Sequence, residues 1–140
     1  MKKLPKVLFL CIHNSCRSQM AEAFGKIHGH GFYESYSAGS KPSGKVNPEA
    51  IAYMQEKGID LSKAKSKSIK ELGVEQFDYA IGMGCGDICP VVPTKKFINW
   101  NIPDPTGTPP EFFRKVRDRI ELKVKGLLKE IEGKGAEEND

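Results

Sequence analysis

The chain is 140 residues long, the length of one ordinary domain, and its 22 Lys+Arg against 18 Asp+Glu leave a formal net charge of only +4. That balance argues against nucleic acid as a partner, and 39% hydrophobic residues argue against intrinsic disorder. Four cysteines are too few for a disulfide scaffold, and a chain of this size buries about two-thirds of its surface on folding, so its core needs no metal or disulfide staple.

Met1 to Lys6 followed by Val7-Leu8-Phe9-Leu10-Cys11-Ile12 resembles the start of a signal peptide, but six apolar residues run straight into His13-Asn14-Ser15-Cys16-Arg17-Ser18. No segment approaches the roughly 18 apolar residues of a membrane span. The expectation is a cytoplasmic, reducing location without membrane attachment, where cysteines are catalytic or metal-binding more often than structural.

Val7 to Cys11 is a continuous apolar run, the pattern of a strand buried on both faces in a parallel sheet. From Ser18 the spacing turns helical, with Met20, Phe24 and Ile27 on one face and Gly29 to Gly31 ending it. Phe32 to Ser37 reads as a second strand, followed by a loop. Asn47-Pro48-Glu49 opens a second helix, with Asn47 as N-cap and Pro48 at the first helical position, and Gly58 stops it. Ile69 to Leu72 reads as a short helical piece, Tyr79 to Met83 as a third strand and Lys96 to Trp100 as a fourth.

The four prolines of the segment from Ile102 through Pro110 make it a loop with restricted dihedrals. Phe113, Val116, Ile120, Val124, Leu127 and Ile131 then form one apolar helical stripe. Residues 1–132 are thus expected to form a single α/β catalytic domain with a four-stranded parallel sheet, and 133–140 a disordered polar tail. Ligands of such sheets sit at the carboxyl ends of the strands.

Cys11 lies at such an end, in the turn that opens the first helix. Free amide groups and the helix dipole there favour an anion, so the thiolate should be populated near neutral pH. The amides of Ile12, His13, Asn14, Ser15, Cys16 and Arg17 form an expected cradle for a tetrahedral oxyanion, to which Arg17 adds a bidentate fork. Asn14 can accept a left-handed backbone or tie the loop down with its amide, and Ser18 can donate to the thiolate. The competing reading of Cys11 is a core cysteine at the end of a strand.

The string Cys11-Ile12-His13-Asn14-Ser15-Cys16-Arg17-Ser18 resembles the active-site loop of the low-molecular-weight protein tyrosine phosphatase superfamily. Ser18 to Glu22 and Tyr36-Ser37-Ala38-Gly39 resemble its continuation in the thioredoxin-coupled arsenate reductases, and the resemblance extends in pieces from about residue 7 to about residue 132. It implies a three-layer sandwich with helices on both faces of the sheet. Asp104-Pro105 matches the superfamily's distal Asp-Pro, whose carboxyl protonates the leaving group. The tyrosine that usually follows is replaced by Thr106, which argues against phosphotyrosine and for a smaller oxyanion.

A phosphatase needs one thiol, whereas release of arsenite from arsenate leaves two thiols oxidised. Gly84-Cys85-Gly86-Asp87-Ile88-Cys89-Pro90 resembles the segment that carries the reductases' second and third redox cysteines, although only three residues separate the pair here. The resemblance implies attack on arsenate by Cys11, a Cys11 to Cys85 disulfide, and its transfer to Cys85 and Cys89 for reduction by thioredoxin or a related thiol donor. Arg17, Ser18 and Asp104 assist, phosphate and sulfate compete, and no cofactor is bound.

Phosphomonoester hydrolysis through a phosphocysteine on Cys11 is the alternative. Cys16 reads either as a small packing residue or as a partner that shields Cys11 in a local disulfide, and His13 either as part of the anion site or as a spacer. Asn14, Glu22 and Ser37 match positions that surround a monovalent cation in some members of the superfamily. Lys67 stands about where a further acidic ligand is expected, so no metal is expected here. A zinc module built on the four cysteines is disfavoured because Cys11 opens an anion-seeking helix beside Arg17.

Overall fold

The structure is a computed structural model that describes residues 3–84 and 92–138. Four strands, β1 (Lys6–Cys11), β2 (Glu34–Gly39), β3 (Phe77–Gly82) and β4 (Thr94–Asn99), form one sheet in the order β2-β1-β3-β4. All three pairings are parallel, with Cys11 opposite Gly39 and Leu10 opposite Gly82. The helices are α1 (Arg17–His28), α2 (Pro48–Gln55) and α3 (Pro110–Glu138), and Lys70–Leu72 form a 3-10 turn. This is the expected α/β architecture, with a four-stranded parallel sheet and three α-helices.

Alternation along β1 sets the two faces of the sheet. Val7, Phe9 and Cys11 join the core beneath the helices, with Met20 and Phe24 from α1, Ala50 and Met54 from α2, and Phe113, Val116, Ile120, Val124, Leu127 and Ile131 from α3. The apolar stripe of α3 is therefore buried along its whole length. Leu8 and Leu10 face the other way, toward Ala38, Phe77, Ala80 and Val92, with Ile69, Leu72 and Val74 packed over them. Among the described residues that second face is covered by the 3-10 turn and its flanks, and the three α-helices gather on the first.

Several element boundaries differ from the expected ones. β2 begins at Glu34, two residues after Phe32, because Tyr33 is drawn into the core and pairing starts where Glu34 N–H donates to Pro5 O (2.8 Å). β3 and β4 each begin two residues earlier than the apolar patterns place them. β4 is the sheet edge, where an exposed ladder carries lysines and no apolar alternation marks the start. α2 ends at Gln55, and a turn with left-handed Gly58 (φ 76°) completes it. α3 begins at Pro110, whose missing donor costs nothing at a helix start. It also continues past Gly133 to Glu138, where the sequence pattern places a polar tail. Among the described residues, no helix is long and apolar enough to cross a membrane.

Candidate active site

Cys11 ends β1, and residues 12–16 lead into α1. The loop is held by its carbonyls. Ile12 O accepts from Lys41 N–H (2.8 Å), His13 O from Ser43 N–H (3.1 Å) and Ser66 Oγ (2.7 Å), and Ser15 O from Asn47 N–H (2.8 Å). A trans peptide points its N–H opposite its C=O, so these contacts turn the amides of His13, Asn14 and Cys16 toward the interior of the loop. α1 starts at Arg17 with no side-chain cap on Cys16, so its first-turn N–H groups are available to an anion. Gly39 lies under the loop: a Cβ there would fall 2.5 Å from Ile12 O and 2.9 Å from Asn14 N.

Asn14 adopts the left-handed conformation (φ 50°) and is fully buried. The directions of its amide contacts follow from its neighbours. Lys67 N–H, which can only donate, lies 2.9 Å from Asn14 Oδ1, and Gln19 Nε2 donates to the same oxygen at 2.9 Å. Asn14 Nδ2 therefore faces Ser18 Oγ and donates to it at 2.8 Å. With that contact accepted, the Ser18 hydroxyl proton is left for Cys11 Sγ, 2.7 Å away. The result is a buried donor directed at a sulfur, the arrangement that holds a thiolate.

Arg17 projects from the first turn of α1, and its Nη1 donates to Met83 O (2.9 Å) and Ile102 O (2.8 Å). These contacts brace the guanidinium against the ends of two strands and leave Nε and Nη2 as the donors for an oxyanion. Gly84 (φ 112°) permits the approach, since a Cβ there would lie 2.8 Å from Arg17 Nη1 and 2.7 Å from Ile102 O.

Cys16 is buried and free, and burial pushes its thiol up to about 12, with the negative charges of Asp104 and Cys11 adding to the effect. A hydrogen bond with Thr106 and the charge of Arg17 pull in the other direction. Cys16 is thus an inert, protonated thiol between the loop and Asp104, which favours the packing reading. The Asp104 carboxylate is exposed and accepts from Thr106 N–H (3.1 Å) and Thr106 Oγ1 (2.8 Å), both on Oδ1, so Oδ2 is the free edge. The His13 ring is exposed against Lys41 O (3.2 Å). Cys85 and Cys89 lie outside the described residues.

Sequence reasoning missed three supports. Asn47 Nδ2 lies 3.3 Å from Thr106 Oγ1, and Glu49 Oε1 accepts from Gly107 N–H (3.1 Å), so the start of α2 ties the Cys11 loop to the Asp104 loop. The Asn-Pro-Glu signal was legible only as a helix start. Gln19, and the Lys65 to Lys67 segment that it meets at Lys65 O (2.8 Å), are the others. Among the described residues, no cluster of His, Cys, Asp or Glu is placed to hold a metal ion.

A family model, low molecular weight phosphotyrosine protein phosphatase, matches residues 6–137. A glutaredoxin arsenate reductase from Synechocystis sp. is 40% identical over 131 residues, spanning 91% of this chain and 99% of the relative. The solved structure of an arsenate reductase in the phosphate binding state superposes with TM-score 0.80 at 39% identity, covering 91% of this chain and 99% of that one. A thioredoxin-dependent arsenate reductase from Corynebacterium glutamicum superposes with TM-score 0.77 at 32% identity, covering 94% of this chain and 63% of that one.

Proposed function

Because the chain belongs to the low molecular weight phosphotyrosine protein phosphatase family, we propose that it uses the family's cysteine loop as an arsenate reductase. The observation that carries the reading is the Ser18 hydroxyl directed at Cys11 from a buried, amide-oriented network. The choice of reduction over hydrolysis is supported by the arsenate reductases to which the chain is similar over nine-tenths of its length. Cys85 and Cys89, which hydrolysis would not use, support it further.

In this mechanism the Cys11 thiolate attacks the arsenic of arsenate, and one oxygen leaves with a proton from Asp104. Arg17 Nε and Nη2 and the loop amides hold the remaining oxygens. The Cys85 thiolate then attacks Cys11 Sγ. The S–As bond breaks with its electron pair on arsenic, so As(V) becomes As(III), arsenite departs, and two thiols become the Cys11 to Cys85 disulfide. Cys89 attacks Cys85 and expels the Cys11 thiolate, and an external dithiol reduces the resulting Cys85 to Cys89 bond.

Thioredoxin in a reducing cytoplasm is the proposed donor. Glutaredoxin is the second reading, favoured by the name of the Synechocystis relative.

Arsenate-dependent NADPH oxidation, coupled to a thioredoxin or a glutaredoxin system, tests the proposal. Turnover is expected in the native protein and its loss in each of Cys11→Ser, Cys85→Ser and Cys89→Ser. Full turnover in the Cys89 variant would remove the relay. p-Nitrophenyl phosphate hydrolysis without arsenate reduction by either donor would return the protein to the phosphatases.

A further inference from the structure

Lys67 takes no part in the reaction above, yet its backbone meets the catalytic loop and its side chain meets α1 and β2 beside it. Its N–H holds Asn14 Oδ1, and its carbonyl accepts from Gly39 N–H (2.9 Å), the glycine on which the loop rests. Its ammonium lies 3.2 Å from Glu22 Oε1, 3.2 Å from Ser37 Oγ and 3.3 Å from Lys65 O. Glu22 is buried in α1 and also accepts from the Ser37 hydroxyl. A buried carboxylate requires such partners: Lys26 Nζ holds Oε2 at 2.9 Å, and deleting the Lys67 ammonium leaves Oε1 without its cation.

We propose that Lys67 is a positioning residue for the Cys11 nucleophile, its ammonium pinning residues 65–67 to α1 and β2 so that Asn14 keeps Ser18 turned toward Cys11. The inference rests on Cys11 being the nucleophile. Both contacts that distinguish the Asn14 amide oxygen from its nitrogen pass through this segment. One is Lys67 N–H itself, and the other is Gln19 Nε2, which Lys65 O anchors at 2.8 Å and Asn14 O at 3.1 Å. When the segment is released, a flipped Asn14 amide presents Oδ1 to Ser18. Ser18 then donates to Asn14, and the thiolate loses its hydroxyl donor.

The charged groups around Cys11 are distinct from those around Lys67. Asp104 of the distal loop and Arg17 of α1 are the charged groups that act on Cys16 beside Cys11, whereas the Lys67 ammonium pairs with Glu22 of α1, whose other oxygen takes Lys26. Among the described residues no hydrogen bond or ion pair joins the Lys67 ammonium to Cys11, so its replacement acts on Cys11 through Asn14 and Ser18. A cavity of about 500 Å³, lined in part by Gln19, Glu22, Ile59, Leu61 and Lys67, opens beside the ammonium, so a small amine from solution can reach the vacated position.

The test is the pH dependence of Cys11 alkylation by iodoacetamide, read by mass spectrometry of the Cys11 peptide, together with arsenate turnover. For Lys67→Ala the alkylation midpoint is expected to rise by about one pH unit, the effect of losing one hydrogen bond to a charged acceptor. Alkylation near neutral pH and kcat should fall about tenfold, with KM for arsenate little changed. Lys67→Arg is expected to stay near native, and methylammonium to restore Lys67→Ala. Should Lys67→Ala fail to fold, the doubly neutral Glu22→Gln/Lys67→Met variant carries the test, with the same rise expected. A native midpoint in the folded variant, or slowed turnover with an unmoved midpoint and no methylammonium rescue, overturns the inference. Turnover surviving in Cys11→Ser would instead overturn the assignment of the nucleophile, whatever Lys67 does.

Discussion

Cys11 and Cys16 belong to one short loop and are both buried, and their partners separate their chemistry. Cys11 receives the Ser18 hydroxyl at 2.7 Å, whereas Cys16 is pushed up to about 12 by burial, then by Asp104 and Cys11. In the folded protein, iodoacetamide at neutral to mildly alkaline pH is therefore expected to label Cys11 and spare Cys16. Peptide mass mapping checks this, and rapid labelling of Cys16 without unfolding would contradict it. The sign of the linkage follows from the raised value: between the ordinary 9.0 and about 12 the folded thiol keeps a proton that the unfolded chain releases. This contribution to stability is intact below 9.0 and falls as pH rises through that interval. Sequence made Cys11, Arg17 and Ser18 legible, and the left-handed Asn14 as well. It was silent on the direction of the Asn14 amide, because that depends on an N–H 53 positions away.

At the scale of elements, the start signal of α2 was reliable, whereas its expected stop at Gly58 lies three residues past Gln55. Asn47 Oδ1 accepts from Glu49 N–H (2.8 Å) with Pro48 opening α2, as the Asn-Pro-Glu pattern implies. What joins α2 to α3 was not legible. Glu56, just past the last turn of α2, takes Arg114 through Nε (3.0 Å) and Nη2 (2.8 Å) and Arg117 through Nη1 (2.6 Å). The Arg114 and Arg117 hydrogen bonds hold its carboxyl down to about 2. A lowered carboxylate stabilises the fold above its ordinary value of 4.5, and that contribution is lost as pH falls toward about 2. Glu56→Gln is expected to lower Tm at neutral pH, with the gap to the native protein closing across that acid interval. Because Glu56 and Arg114 are exposed, added salt should shrink their part of the effect, whereas the buried Arg117 is screened less. Thermal melts over a pH series check both, and a gap independent of pH would place its origin elsewhere.

Over the whole molecule, the parallel sheet carries Cys11 and Gly39 to one edge, and Met83 O and Ile102 O meet there through Arg17. α3 spans the face beneath them. Phe113, fully buried and stacked on Tyr53 at 4.4 Å, fixes its first turns to α2. Phe113→Ala is expected to cost about 3–5 kcal/mol through the cavity that it leaves. Urea unfolding measures this, and a loss below about 1 kcal/mol would show that the site collapses around the change.

The sequence by itself determined the α/β class, the two helix starts, the stripe of α3 and the loop that carries Cys11 and Arg17. Each of these signals is written in the spacing of residues within one element or in the turn beside it, where periodicity and capping act. Tertiary structure alone decided what holds that loop. Lys67 reaches Asn14 across 53 positions and Arg17 reaches Ile102 O across 85, with Asn47 bridging the Cys11 and Asp104 loops. Such contacts depend on which strands become neighbours, and no local spacing records that.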